Sequence, residues 1–236
     1  MAKNTIISFC DISGEWSVPW VDQGYQVLRV DPQYGQSFTR EVLIHCSCED
    51  ARLLHYDPKL KGKVLGVMAA PPCTAFTKAA AWKWEGAKKA YPDDRERLLA
   101  GLSIVDAIMR AITLYKPTWW CLENPAGRLS RYIGKAQFHF HPKDYAWLAD
   151  NPAADSWTKQ TFLWGQGVNW AGLQNLKRAR KSRGKFTDTI QPGPERANQR
   201  SKTFQGFARA FELANRPGYR KNELQDVIQA LNKMRK

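Results

Sequence analysis

Residues 64–74 read VLGVMAAPPCT. An apolar run broken by one glycine and closed by Pro71-Pro72 predicts a buried β-strand with an abrupt end, because proline fixes φ and offers no N–H to a ladder. Working outward, Thr5–Phe9 (TIISF) is a second short apolar run, and it ends in CDISGEW. Ser17 with Pro19 just behind it reads as a helix start. Gln26–Val30 (QVLRV) is the next strand, ending at Asp31, and residues 42–45 form a weaker third. On the other side a helix begins near Asp93. An Asp93–Glu96 pair caps it, Leu98, Leu102, Val105, Met109 and Ile112 share one face, and Lys116-Pro117 stops it. Thr118–Leu122 (TWWCL) is a strand that ends before Glu123-Asn124-Pro125. Thr161–Trp164 is a further strand, and residues 204–215 and 222–235 read as helices. Alternating strands and helices predict an α/β fold, with a mostly parallel sheet and helices on both faces.

In such sheets ligands sit beyond the carboxyl ends of the strands. Asp11, Asp31, Cys73 and Glu123 each follow a predicted strand at that end. Cys73, presented by two stiff prolines, reads either as a nucleophile, if neighbouring positive charge lowers its pKa, or as a small buried residue at a strand end. Glu123, directly behind TWWCL, reads either as a desolvated acid with a raised pKa or as a helix cap before the Pro125 turn. The Ser13-Gly14 turn lets a ligand approach the backbone. Asp31 is placed to accept from ribose hydroxyls, and both it and the turn read equally as solvated turn residues.

The composition narrows the partner. Lys+Arg number 36 against 22 Asp+Glu, a net charge of +14 that points to a polyanion, with nucleic acid first and a membrane surface second. The 10 Trp offer stacking surfaces, though most are expected in the core and its rim. Five cysteines at irregular spacing do not form a disulfide framework. His45, Cys46, Cys48 and His55 lack the spacing of a zinc site, so no metal is expected. No apolar run approaches the ~20 residues of a membrane span. The start shows neither the apolar core nor the cleavage site of a signal peptide, so a cytoplasmic protein is expected.

Taken in order, F-x-D-x-S-G-x-W at 9–16, Asp31, Asp50-Ala-Arg-Leu-Leu, PPCT at 71–74, ENP at 123–125, TKQTFLWG at 158–165 and SKTFQGFARAFELAN at 201–215 resemble the DNA (cytosine-5) methyltransferases, in the short form seen in bacteriophages. The resemblance runs from about Ile6 to Asn215. It implies a Rossmann-like, S-adenosylmethionine-dependent methyltransferase fold, with the target-recognition domain reduced to a short basic segment. The whole of 1–236 would be one catalytic domain, in which 166–200 is a DNA-contacting insertion and 216–236 a C-terminal helix. A phage origin would place it in the host cytoplasm.

The resemblance also implies roles. Cys73, Glu123 and Asn124 would be catalytic, with Cys73 attacking C6 of a flipped-out cytosine and Glu123 donating to N3. Phe9, Asp11, Gly14, Trp16, Asp31, Asp50 and Pro71 would hold S-adenosylmethionine. Pro72, Lys83, Lys159, Gln160, Thr161, Arg178, Arg180, Lys181 and Arg183 would meet the base or the DNA, most simply a duplex. Three departures stand out. The family has arginines, one of them on cytosine O2, where this chain has only Lys159. The family has an Asn near the cofactor where this chain has Ser201 and Thr203. The insertion is too short for a full recognition domain, although residues 177–202 carry nine Lys/Arg against Asp188 and Glu195. Its run KRARKSRGK reads as a solvated, mobile loop able to bind phosphates. A second reading is therefore a DNA-binding protein on a methyltransferase fold. A zinc deaminase is excluded, because H-x-E and P-C-x-x-C are both missing.

Overall fold

The apolar run at 64–69 lies in the middle of a sheet, and the computed structural model describes residues 4–40, 43–89, 91–178, 180–191 and 196–218 around it. The strands are β1 (Thr5–Phe9), β2 (Gln26–Val30), β3 (Phe38–Arg40), β4 (Ile44–Ser47), β5 (Val64–Ala69), β6 (Trp119–Pro125), β7 (Phe138–Phe140) and β8 (Thr161–Gln166). The helices are α1 (Val18–Asp22), α2 (Asp94–Tyr115), α3 (Ser130–Ile133), α4 (Pro152–Asp155), α5 (Trp170–Leu176), α6 (Arg196–Ser201) and α7 (Gln205–Asn215). Among the described residues the strands form one sheet in the order β3-β4-β2-β1-β5-β6-β8-β7. The five strands from β4 to β6 pair in parallel, while β3 and β8 run against their neighbours. This is the Rossmann-like, mostly parallel sheet expected. The chain works outward from β1 to β2 and β4, then returns to lay β5 on the other side of β1. A ligand crevice opens where the order reverses, beyond the ends of β1 and β5.

Alternate residues of the central strands feed two cores. Ile6, Leu65, Met68 and Trp119 face α1 and α7 with Trp16, Trp20, Phe207 and Phe211. Ile7, Val64, Val67 and Leu122 face α2 with Phe76, Val105 and Ile108. Burial on both sides is what a parallel sheet requires. Helix α2 is long and apolar enough to cross a membrane by length and composition, contrary to the reading of the sequence. Here it packs on the sheet through Val105, Ile108, Ala111 and Tyr115.

Several local expectations are corrected. The third strand is shifted to 44–47, and β3, too short to show in the sequence, pairs with it. Strand β6 does not stop at Leu122. It continues through Glu123, Asn124 and Pro125 because β8 pairs with all three, opposite Leu163, Phe162 and Thr161. Ser17 precedes α1 but makes no side-chain cap; its hydroxyl donates to Asp11 instead. Asp93 makes no cap either, and the neighbouring Asp94 is the acid the fold uses. His45 and Cys46 point to opposite faces of β4, His45 exposed and Cys46 buried, which separates the residues of the suspected metal cluster. Beyond Gly218 the expected C-terminal helix lies outside the described residues.

Gly66 is the tightest point of the sheet. It sits opposite Trp119 in the β5–β6 pairing, and a Cβ there would fall inside the indole ring. Gly66→Ala is expected to destabilise the fold by about 1–3 kcal/mol, the cost of an overpacked core. Urea unfolding would check this, and an unchanged midpoint would show that Trp119 can move aside.

Candidate active site

Cys73 opens a short 3-10 turn, Cys73–Ala75, at the end of β5, and Glu123 lies near the end of the adjacent β6. The two elements are tied together. Asn124 donates from Nδ2 to the Pro71 carbonyl at 2.9 Å, in a fully buried bond. Asn124 therefore holds the loop that carries the thiol, while its Oδ1 is buried with no hydrogen-bond partner among the described residues. Glu123 is buried, as its position behind TWWCL predicts, and burial pushes its carboxyl pKa up against the pull of Lys159. Lys159 Nζ lies 3.8 Å from Glu123 Oε1 with both side chains largely buried. The lysine expected to face the substrate is thus paired with the acid. Thr161 is buried in β8 opposite Pro125, so it cannot face DNA, whereas Gln160 is exposed.

The thiol environment differs from the expectation. Burial pushes the Cys73 thiol up and Glu123 pushes it the same way, while Lys159 and Arg200 draw it down; the net shift is upward. Cys73 opens into a cavity of about 380 Å³ that Lys159, Gln160, Lys185, Arg200 and His141 also line. Arg200 and His141 were not singled out from the sequence, because neither sits in a recognisable pattern. His141 has its Nδ1 buried with no hydrogen-bond partner among the described residues, and burial lowers its pKa.

The turn that carries Cys73 is fixed by Arg128. Its backbone N–H donates to Phe76 O at 2.8 Å and its Nε to Ala75 O at 2.7 Å. Its two terminal nitrogens grip Asp94 at 2.9 and 2.8 Å, and its guanidinium lies over the Trp84 ring. Asp94 also accepts from the Glu85 N–H, which gathers the loop after the nucleophile into the same knot. In that loop Lys83 lies over Trp82 and Tyr91, with Trp82 half exposed, and Pro72 is exposed beside Cys73.

Across the switch point three acids converge on Cys10, which adopts a left-handed backbone at φ 57. Burial, then Asp31, Asp50 and Asp11, push its thiol up to about 12. Asp11 is buried and accepts from the Ser8 and Ser17 hydroxyls, so it braces the loop from within. Arg29 donates to that same Ser17 and to Gly14 O. Gly14 has φ +70, and a Cβ there would collide with the Arg29 guanidinium. Asp50 is gripped by Arg52 through both carboxylate oxygens. Asp31 is buried and accepts from the Gln33 N–H on Oδ1; burial holds its pKa up. Phe9 and Trp16 are each 1% exposed, their rings enclosed in the two cores, Trp16 beside Phe207 and Phe211. Neither ring offers a ligand a face. Pro71 is buried and contributes its carbonyl to Asn124.

The basic segment is not a free loop. Arg178 donates from its backbone to Asp144 and lies over Trp147; Arg183 donates to Ser156 and lies over Trp157. Residues 184–186 exchange backbone bonds with Thr158. Arg180 and Lys181 are exposed. Aromatic rings and strand-like pairing seat the segment beside TKQT, a contact its charge pattern does not disclose.

No family model matches the chain, and no curated protein matches it in sequence. Among solved structures it is similar to a candidate DNA modification methyltransferase encoded within a prophage (E. coli). That match has 13% identity and a TM-score of 0.41 over 68% of this chain and 45% of that one. It is also similar to an antibiotic-related methyltransferase, at 8% identity and a TM-score of 0.35 over 69% and 87%. The chain thus spans less than half the length of the first. Scores at this level carry no inference about activity.

The Arg128–Asp94 pair predicts a pH signature. Arg128 holds the Asp94 carboxyl well below the usual range, so the pair stabilises the fold fully above the unfolded value of about 3.9, weakens progressively below it, and is lost only as pH falls through the lowered folded value. Arg128→Ala, which leaves the buried Asp94 carboxylate only Arg97 and the Glu85 N–H, is expected to cost up to about 3–5 kcal/mol at pH 7. The gap should narrow below about pH 4. Urea unfolding of both proteins at pH 7 and pH 3 checks this; an equal gap at both would rule out the ion pair as its source.

Proposed function

We propose that the protein methylates cytosine at C5 in DNA through a covalent Cys73 adduct. The observation that carries the reading is the pairing of a thiol and a buried, pKa-raised carboxyl on adjacent strand ends, with the thiol opening into a cavity lined by cations. The opposite side of the switch point fits S-adenosylmethionine. Asp31 suits the ribose hydroxyls, and the acids around Cys10 suit a ligand bearing positive charge. Asp11 and Asp50 act there through their field, since Ser8, Ser17 and Arg52 engage their oxygens. When bound, S-adenosylmethionine supplies the methyl group that an activated C5 takes up.

The chain's own residues do the rest. Cys73 loses its proton to water, and its sulfur bonds to C6 of a base taken out of the stack. The C5=C6 electron pair moves to C4–C5 and the C4=N3 pair to N3, which takes the proton of Glu123. Burial raises the Glu123 pKa against the pull of Lys159, which favours the acid form this step uses, and Asn124 keeps the Cys73 loop in register with it. After methylation the C5 proton leaves to water, the sulfur–C6 bond breaks with Cys73 leaving as thiolate, and N3 returns its proton to Glu123, which restores the neutral ring. Exposed Arg180 and Lys181 beside the seated basic segment serve the phosphate backbone, and half-exposed Trp82 offers a face to a base.

The upward shift of the Cys73 thiol and the engagement of Lys159 by Glu123 favour a second reading, a DNA-binding protein with little or no turnover. One assay separates the two: transfer of tritiated methyl groups from S-adenosylmethionine into DNA, with nucleoside analysis of the product. We expect 5-methylcytosine, and DNA binding without incorporation would establish the second reading. Cys73→Ser should abolish transfer and leave DNA binding intact; wild-type turnover in that variant would disprove the covalent route. Glu123→Gln, which keeps the size but not the transferable proton, should slow single turnover by about 10²-fold or more, and an unchanged rate would leave Glu123 a structural role only.

A further inference from the structure

We infer that the outer face of α2 is the interface of a two-fold homodimer. A helix that is apolar all round is ordinarily buried all round. Helix α2 is apolar enough to cross a membrane, yet only seven of its 22 residues are buried. Leu99 is 57% exposed and Leu114 47%, while Leu98, Leu102, Met109 and Ile112 are only partly covered. The loop after β4 lies alongside. Arg110 Nη2 donates to the Arg52 carbonyl at 2.9 Å, and the Tyr56 ring packs beside Tyr115. That loop adds the exposed side chains of Leu53 and Tyr56. Single exposed leucines are ordinary; a run of them along one helix and its neighbouring loop marks a contact surface.

Charge and shape select the occupant. The chain carries +14, but the charges of α2 cancel: Asp94, Glu96 and Asp106 stand against Arg95, Arg97 and Arg110. The adjoining stretch 49–57 holds three acids and Arg52 as its only Lys/Arg. A polyanion gains nothing on this face, and two copies can bring it together without the repulsion that the rest of their surfaces would meet. The face is also complementary to itself. Asp106 and Arg110 are exposed and lie one helical turn apart. When two copies of α2 run antiparallel about an axis between these residues, each Asp106 meets the partner subunit's Arg110, twice over, as an isologous contact requires. The same register sets Leu102 level with Leu114 and the small Ser103 level with Thr113. Leu99 then reaches the far end of the facing helix, where Tyr56 is seated on Tyr115. A helix of 22 residues is about 33 Å long. With the loop beside it the face approaches the roughly 800 Å² per partner that a stable complex buries.

This inference does not depend on the cytosine reading, and sedimentation velocity over a wide range of protein concentrations tests it. The wild type should sediment as a concentration-dependent dimer. Asp106→Arg places like charges opposite each other at two points and should raise the dissociation constant by about 10²-fold or more. Adding Arg110→Asp to that variant reverses both partners and should recover most of the affinity. Leu99→Glu, at an exposed position, should also dissociate the dimer. Thermal melting confirms that each variant is folded, and Leu114→Glu carries the apolar arm should Leu99→Glu not be. A dimer indifferent to Asp106→Arg and to Leu99→Glu is joined through another surface and overturns the inference. A double swap no tighter than Asp106→Arg alone overturns the two-fold pairing. A wild type that stays monomeric at every concentration overturns the inference too. In that case a fall in melting temperature for Leu99→Glu would mean that the chain's own residues 219–236 cover the face.

Discussion

Everything at the candidate site hangs on one buried ion pair. Arg128 and Asp94 are 4% and 2% exposed in their side chains, and the arginine's Nε and backbone N–H donate to the Ala75 and Phe76 carbonyls. A pair so deeply buried adds little net stability over an apolar equivalent, because desolvation offsets the attraction. Its value is geometric. It joins the start of α2, the turn bearing Cys73 and the loop leaving β6, so that a thiol and a carboxyl from different strands share one frame. The Asn124–Pro71 bond repeats the same connection a few residues closer to the chemistry.

Charge is sorted along the carboxyl edge of the sheet. On the β1–β2–β4 side, Asp11, Asp31 and Asp50 all act on Cys10. On the β5–β6–β8 side, Lys159, Lys185 and Arg200 line the space in front of Cys73. Both thiols are held up by burial and by acids, and the second also has cations, Lys159 and Arg200, that draw it toward its ionised form. A positively charged small molecule and a polyanion would be drawn to neighbouring but separate places, with the switch point between them.

The central strands were legible because burial on both faces leaves an unbroken apolar run, as in VLGVMA and TIISF, and because prolines mark where such runs end. Glu123 was legible for the same reason: a carboxylate directly behind TWWCL has nowhere to go but inside. The edge strands β3 and β7, three residues each, are too short for a period to show. The extension of β6 through ENP depends on β8, a strand pairing that no local pattern encodes. Trp16, which the resemblance implied would hold the cofactor, has its surroundings set by Phe207 and Phe211 nearly two hundred residues on, and its burial there could not be read locally. Arg128, Asp94 and Arg200 were missed because a long-range partner cannot be read from spacing.

One lysine of the basic segment has a different consequence. Lys177 donates to the His139 carbonyl at 2.7 Å and covers the Phe138 ring, on β7, the outermost strand of its side of the sheet. An open strand edge is a template for a second chain, and a charged side chain laid across it is a common protection. The ammonium occupies a backbone acceptor on that strand and brings a charge that an incoming strand would have to bury. A residue counted with the basic segment by composition is thus one whose charge an added strand would have to meet, the kind of cost by which edge strands are protected.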